Sequence, residues 1–562
     1  MAMISDLFEL AVHHHQSSDL RQAEACCRQI LRDDPAHAAA HHLLGLVVAQ
    51  SGHPQEAIEL IRRAIALNPA DADGHFNLAM VHMQQGQAEE ALACFRRVVC
   101  IKPDHDQAHN NLGNVLMDQG QLPAAIECYR QALRSNPHNA NAYYNLGNAF
   151  IKQGRPDEAI ACFRDAIRIS PTFADAYNNL GTALQKQGEA VEAIACYRKA
   201  IACNPLLAKA QINLGQSLTR FGLYQEAQNL YEHALRILPG NATALWNCTL
   251  LRLLHGDFEG GWQDYEKRWA LPGMAVRSFH RPRWDGSSFL GKTNLVYAEQ
   301  GLGDTIQFLR YLPLVKERGG TVLFECQAPL VPLCTGIRGA DQLIAAGAPL
   351  PHFDVQVALL SLPGIFRTNL ATIPKSVPYL RADPGLVEYW RKELQPLGGF
   401  KIGIAWQGNP KNTDDRYRSV PLAHFETLAR REGVRLVSLQ QGPGAEQLKE
   451  WARRIDNPPS MNEVPSLGNK MSILDLSDRL GAFIDTAAVM MNLNLVVTVD
   501  NAVAHVAGAL GVPTWTLLPY APDWRWLLER SDSPWYPTMR LFRQSRFGDW
   551  SDVFERVHEE LR

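Results

Sequence analysis

The chain has 562 residues, 46% of them hydrophobic and 20% charged, which is the balance of a soluble globular protein and too long for one ordinary domain. Its net charge of −3, from 55 Lys+Arg against 58 Asp+Glu, lacks the basic excess of a dedicated nucleic-acid binder. No apolar run approaches the roughly 20 residues of a membrane span, Met1–Gln16 shows no basic stretch ahead of an apolar core, and 11 Cys are too few for a disulfide scaffold, so a cytoplasmic location is expected. All 12 Trp lie at or after Trp246, whereas nine of the 11 Cys lie in the first 248 residues, and this points to two kinds of architecture.

The first region is periodic. Pro35, Pro69, Pro103, Pro137, Pro171, Pro205 and Pro239 recur every 34 residues, and Ala23 to Ala227 and Gly52 to Gly256 keep the same step. Phe95, Tyr129, Phe163, Tyr197, Tyr231 and Tyr265 fall in phase. Each unit reads as helix, Gly-containing turn, helix, then Pro. The pattern resembles the tetratricopeptide repeat, in which units stack into an α-solenoid with a concave surface. Seven repeats are expected within residues 1–241, with a degenerate eighth and a junction over 242–272. Gly261 there replaces the usual Ala, and Trp246, Trp262 and Trp269 mark a docking place on the next domain.

Two further series keep the period. Cys26, Cys94, Cys128, Cys162 and Cys196 fall in separate repeats, which suits small packing residues rather than one metal site. The Asp71-Ala-Asp73 pair at a repeat junction is likewise rejected as a metal site. Asn77, Asn111, Asn145, Asn179, Asn213 and Asn247 all fall on first helices. Two readings are open for them. Carboxamides can pair with the backbone of an extended peptide, or Asn is simply common at this place in such repeats. The row resembles the asparagine ladder of the eukaryotic O-linked N-acetylglucosamine transferase, which holds protein acceptors.

From about residue 273 the pattern changes to α/β. Strands are predicted at 295–298, 321–326, 355–359, 402–406, 435–439, 495–499 and 514–518, alternating with helical stretches, as in parallel sheets with crossover helices. Two Rossmann-like halves are expected, residues 273–399 and 400–562, divided near Pro396–Gly399.

Three segments of this region carry candidate chemistry. Tyr297-Ala-Glu-Gln-Gly-Leu-Gly-Asp304 is a strand, a Gly-rich turn and a helix start, with the helix predicted over 305–318. Gly301 and Gly303 suit a close ligand approach. Asp304 is either a reactive carboxylate or a helix cap, with Gln307 completing a capping box. After the first strand of the second half, Lys411, Arg416 and Arg418 fall within eight residues ahead of Pro421 and suit a diphosphate, or else form a solvated loop. Asp500-Asn501-Ala-Val-Ala-His505 joins a buried strand to a small-residue helix whose N-terminus could hold a phosphate. The alternative is a capping Asp500 or Asn501 and a packed His505.

Taken together, the Gly-Leu-Gly-Asp turn, the basic loop before a Pro, and Asp-Asn-Ala-Val-Ala-His with Ala-Leu-Gly-Val-Pro resemble glycosyltransferase family 9, heptosyltransferase-like enzymes of the GT-B fold. The resemblance spans about residues 290–520. It implies Asp304 as general base, Arg418 with Lys411 and Arg416 at the donor phosphates, and Asp500, Asn501 and His505 at the donor nucleotide and sugar. Asn501-Ala502 departs from the Ser/Thr-Gly of that family, which puts an ADP-heptose donor in doubt. The repeat arm is foreign to plain heptosyltransferases. The tandem is similar to bacterial repeat-fused protein glycosyltransferases, including those that modify flagellin. The expectation is an inverting, metal-independent transfer from a nucleotide-sugar substrate to a protein hydroxyl, with no cofactor and no nucleic-acid partner. The alternatives are a cell-envelope glycan acceptor or a non-enzymatic scaffold.

Overall fold

The computed structural model describes residues 2–274, 277–412, 414–456 and 473–561. Clustering of contacts divides the chain into two compact units, Met1–Leu214 and Gly215–Arg562.

In the first unit, helices come in pairs that keep the 34-residue phase. Ala140–Lys152 and Pro156–Ile169 illustrate why. Gly154 ends the first helix at φ 76°, a left-handed conformation that costs a residue without Cβ little. Pro156 then opens the second helix, where its missing N–H is not needed. Gly147 lies against Phe163, and a Cβ there would come within 2.6 Å of the ring. That close approach explains why Gly on the first helix and an aromatic residue on the second recur together. Ala159, Phe163 and Ala166 are fully buried, and Pro171 follows the helix end, where it cannot continue the ladder. The in-phase cysteines lie on the second helices. They are free and buried or half-buried, and burial pushes the Cys162 thiol up to about 12, so they act as packing residues.

The second unit opens with the end of the seventh repeat and with the eighth. The helix Ala242–Leu254 is regular, but its partner Phe258–Tyr265 has only eight residues and passes into the tight turn Glu266–Ala270. Trp262 from this short helix is buried. It stacks on Phe258, meets Trp524 edge-on at 5.3 Å between ring centres, and donates its Nε1–H to the Thr368 carbonyl at 2.9 Å. The apolar face that another repeat would cover is thus buried against the α/β part.

That part holds two parallel sheets. Strands β1 (Thr293–Tyr297), β2 (Thr321–Cys326), β3 (Gln342–Ala345) and β4 (Val355–Ala358) form the first, in the order β3-β2-β1-β4. Strands β5 (Phe400–Ala405), β6 (Val434–Ser438), β7 (Ile473–Asp475), β8 (Leu495–Val499), β9 (Thr514–Leu518) and β10 (Met539–Arg543) form the second, in the order β10-β9-β8-β5-β6-β7. From β5 the chain builds outward through β6 and β7, then returns to add β8, β9 and β10 on the other side. This is a doubly wound order, with its switch point between β5 and β8. Gly398 and Gly399, both at positive φ, turn the chain into β5 where the break between halves is expected. Among the described residues, no helix is long and apolar enough to cross a membrane.

Candidate functional site

The carboxyl ends of β1, β5 and β8 open onto one cavity of about 650 Å³. Eight of the nine residues picked out in the α/β region line it: Gly301, Gly303, Asp304, Lys411, Arg418, Asp500, Asn501 and His505. The ninth, Arg416, does not. It sits with Arg418 on the single turn Asp415–Arg418, where two positions apart means about 200° around the axis. Its guanidinium instead packs 4.7 Å from the Tyr417 ring centre and faces a neighbouring cavity of about 480 Å³. Asn412, Arg418, Asp500 and Asp523 line both cavities, which therefore adjoin.

Around Asp304 the structure departs from the expected capping arrangement. The helix begins earlier, at Leu302, and ends at Phe308, so Gly301 is its N-cap and Asp304 its third residue. Asp304 Oδ2 accepts the Gly301 N–H at 2.9 Å, and Oδ1 pairs with Arg525. Gln307 is not part of a cap; it is buried and accepts a hydrogen bond from Arg525. Gly303 has a packing role. A Cβ there would lie 2.8 Å from His505 Cδ2, so its absence lets this helix lie against the helix Ala502–Leu510.

Asn501 is the N-cap of that second helix. Its Oδ1 accepts from the Val503 and Ala504 amides at 3.0 and 3.3 Å, and its Nδ2 donates to the Gln407 carbonyl beyond β5. Two of the helix amides are thus already satisfied within the chain. Arg418 donates Nε–H to buried Asp415 at 3.1 Å, which fixes its guanidinium at the cavity wall. His505 is buried, stacks on Trp526 and hydrogen-bonds Tyr536 Oη through Nδ1 at 2.8 Å. Burial, with Arg525, Arg310 and Arg418 nearby, holds its imidazole well below the usual range, so it is neutral. Burial, together with Asp523, pushes the Asp500 carboxyl up to about 6, against the pull of Arg418 and Arg525.

Of the lining residues that escaped the sequence reading, Phe483 and Thr486 lie on the helix Phe483–Met490, and four others follow strands. Gln440 and Gln441 follow β6, while Asp523 and Arg525 follow β9. No motif marks these four. The signal that finds them is positional, since each of the four sits just beyond the carboxyl end of a parallel strand.

The asparagine series of the first unit lies on first helices, as expected, but its donors are used inside the protein. Asn77 Nδ2 contacts His42 Nε2 at 2.9 Å, Asn145 donates to Asn110 Oδ1 at 3.0 Å, and Asn213 donates to Asn178 Oδ1 at 2.9 Å. Asn111 donates toward Met80 Sδ, and Asn179 donates to Asn148 Oδ1 at 2.8 Å. Every one of these partners sits on the first helix of the preceding repeat. In the second unit, Asn247 Nδ2 is buried with no hydrogen-bond partner among the described residues.

Tetratricopeptide-repeat models match residues 8–72, 48–115, 110–172 and 172–240. The first region is a tetratricopeptide-repeat array. Protein FlbA of Caulobacter vibrioides is 29% identical over 327 residues, covering 54% of this chain and 52% of that protein. The chain thus spans about half the length of that curated relative. Among solved structures, the PilF protein of Pseudomonas aeruginosa is similar at 22% identity, covering 38% of this chain and 96% of that one, with a TM-score of 0.34. A MamA structure is similar at 28% identity, covering 29% and 96%, with a TM-score of 0.27.

Proposed function

We propose that this chain is an inverting glycosyltransferase of GT-B type. It moves a sugar from a nucleotide-sugar to an acceptor hydroxyl, and the repeat array recruits a protein acceptor. The observation that carries this reading is the gathering of Asp304, Arg418, Asp500 and His505 from separate segments into one cavity at a topological switch point. Ligands of doubly wound sheets sit at such places.

In this reading the donor diphosphate lies against Lys411 and Arg418, whose charges stabilise the departing group. Neutral His505 offers a hydrogen bond to donor atoms without adding charge. Asp304 accepts the proton of the attacking hydroxyl. A carboxylate offers about four lone-pair sites; Gly301 and Arg525 each take one, so room remains for that hydroxyl. The adjoining 480 Å³ cavity suits a reaction with two substrates. The repeat array supports a protein acceptor, because stacked repeats present extended binding surfaces.

Turnover in an Asp304→Asn variant tests the reading. Transfer from a nucleotide-sugar is expected to fall by about 10²–10⁴-fold, the usual contribution of a general base, while donor affinity stays near wild type. Undiminished turnover would remove Asp304 from the chemistry. An absence of any transfer or donor hydrolysis by the wild-type chain, across nucleotide-sugars, would favour the scaffold alternative.

A further inference from the structure

Arg525 belongs to none of the motifs, yet it is the most connected cation in the cavity wall. It is buried on the short turn Trp524–Trp526, beyond β9. Its guanidinium faces three acceptors. Nε–H donates to Gln307 Oε1 at 2.6 Å, Nη1 to Asp523 Oδ1 at 2.8 Å, and Nη2 pairs with Asp304 Oδ1. Gln307 and Asp304 belong to the first sheet's half and Asp523 to the second's, so this one side chain ties the two halves together at the cavity. Trp524 lies under the guanidinium at 4.6 Å, and Trp535 Nε1–H donates to the Arg525 carbonyl at 2.9 Å. Leu527, two residues on, holds φ 55°, a costly conformation for a branched side chain and one that tertiary contacts must enforce.

We propose that Arg525 is the positioning residue for Asp304: it pairs with that carboxylate and holds it oriented into the cavity between turnovers. This rests on the transferase reading, in which Asp304 is the base. The surrounding charges say why such a residue is needed. Asp523 from the same loop, Glu299 at the end of β1 and Asp500 at the end of β8 are acidic neighbours of the pair. Tyr265 from the eighth repeat, together with Arg268, Arg310 and Arg418, also faces this cluster, Lys411 lines the same cavity, and His505 is neutral. Without Arg525, Asp304 loses the cation paired with it in a partly buried wall that Glu299 also faces, and loss of a neighbouring opposite charge disfavours the ionised form. A base must be unprotonated to accept the acceptor's proton, so losing Arg525 should stop the reaction at low pH before it stops it at high pH.

The test is the pH profile of kcat/KM for sugar transfer in the full chain, in wild type, Arg525→Gln, Arg525→Lys and Asp304→Asn. The acid limb is expected to move up by about one unit or more in Arg525→Gln, the scale of a lost neighbouring opposite charge. Most of the rate should return above it. Arg525→Lys keeps a charge but not the three-way geometry, so its limb should lie between the two. Nucleoside diphosphate binding near wild type checks that each variant is folded. A uniform loss at every pH, or an unmoved limb in folded Arg525→Gln, overturns the proposal. If Arg525→Gln does not fold, an unmoved limb in Arg525→Lys overturns it equally. Asp304→Asn separates the two claims. Wild-type turnover there sinks the transferase reading itself, whereas a strong loss there with an unmoved Arg525 limb sinks only this inference.

Discussion

Asp500 shows how a polar cavity costs stability at the level of one residue. It is buried, with Asp523 nearby, and its carboxyl is pushed up from 3.8 to about 6. A raised carboxyl means the folded chain holds a proton that the unfolded chain has released. Stability therefore falls as pH rises from about 4 to 6, and the full cost remains above that window. Asp500→Asn removes the charge while keeping the shape. We expect it to raise the melting temperature at pH 7–8, with a gain on the order of 1–3 kcal/mol, and to give no gain below about pH 4. Melting curves across pH would show this, and an equal effect at all pH values would mean that charge is not the cause. The motif residues were readable here, but their roles were only half readable. Asp304 and Asn501 both take up helix amides as well as lining the cavity, because a strand-to-helix turn needs caps whatever its ligand. Gly303 reads as a ligand-approach glycine, yet its neighbour is His505, a contact set by the packing of two helices far apart in sequence.

At the scale of elements, the repeats were almost fully legible, since Gly147 against Phe163 and the turn at Gly154 follow from a pattern repeated every 34 residues. Seven strands were predicted, and 321–326, 495–499 and 514–518 match β2, β8 and β9 end to end. The three missed strands, β3, β7 and β10, all lie at sheet edges. Edge strands are short or half-solvated, so they lack the continuous apolar run that marks a buried parallel strand. The helix expected over 305–318 is instead broken, with tight turns at Leu309–Tyr311 between two short helices. Spacing alone also left the asparagine row undecided, because it shows which helix carries a side chain but not what that side chain reaches. In the structure these carboxamides join neighbouring repeats. Changing Asn111, Asn145 and Asn179 together to Ala should therefore destabilise the repeat array, at about 0.5–1.5 kcal/mol for each lost hydrogen bond. Circular-dichroism melting of the full chain reads this directly. An unchanged midpoint would instead leave the carboxamides disposable for folding and available to a bound polypeptide.

For the molecule as a whole, composition alone separated a Cys-bearing repeat region from a Trp-bearing α/β region, and the structure shows what the tryptophans do. Trp262 closes the eighth repeat against the α/β part, with Trp524 beside it. Close by, fully buried Arg268 from the turn after that repeat pairs with Glu299 at 2.9 Å and donates to Ser361 at 2.8 Å. Burial pushes Glu299 up to about 7 despite this partner, so the link is a costly one to break. The Trp524–Trp526 turn that carries Arg525 is therefore braced from the repeat side as well as from β9. We propose that this braced cavity holds the diphosphate of a nucleotide-sugar. Isothermal titration of wild type and Arg418→Ala with a panel of nucleoside diphosphates and the matching nucleosides tests it most directly. At least one nucleoside diphosphate should bind well above its nucleoside. In Arg418→Ala that preference should shrink by about tenfold or more, as expected when a charge-assisted contact worth roughly 1.5–3 kcal/mol is removed. Failure of every nucleoside diphosphate to bind, or an equal loss for diphosphate and nucleoside in Arg418→Ala, would contradict it.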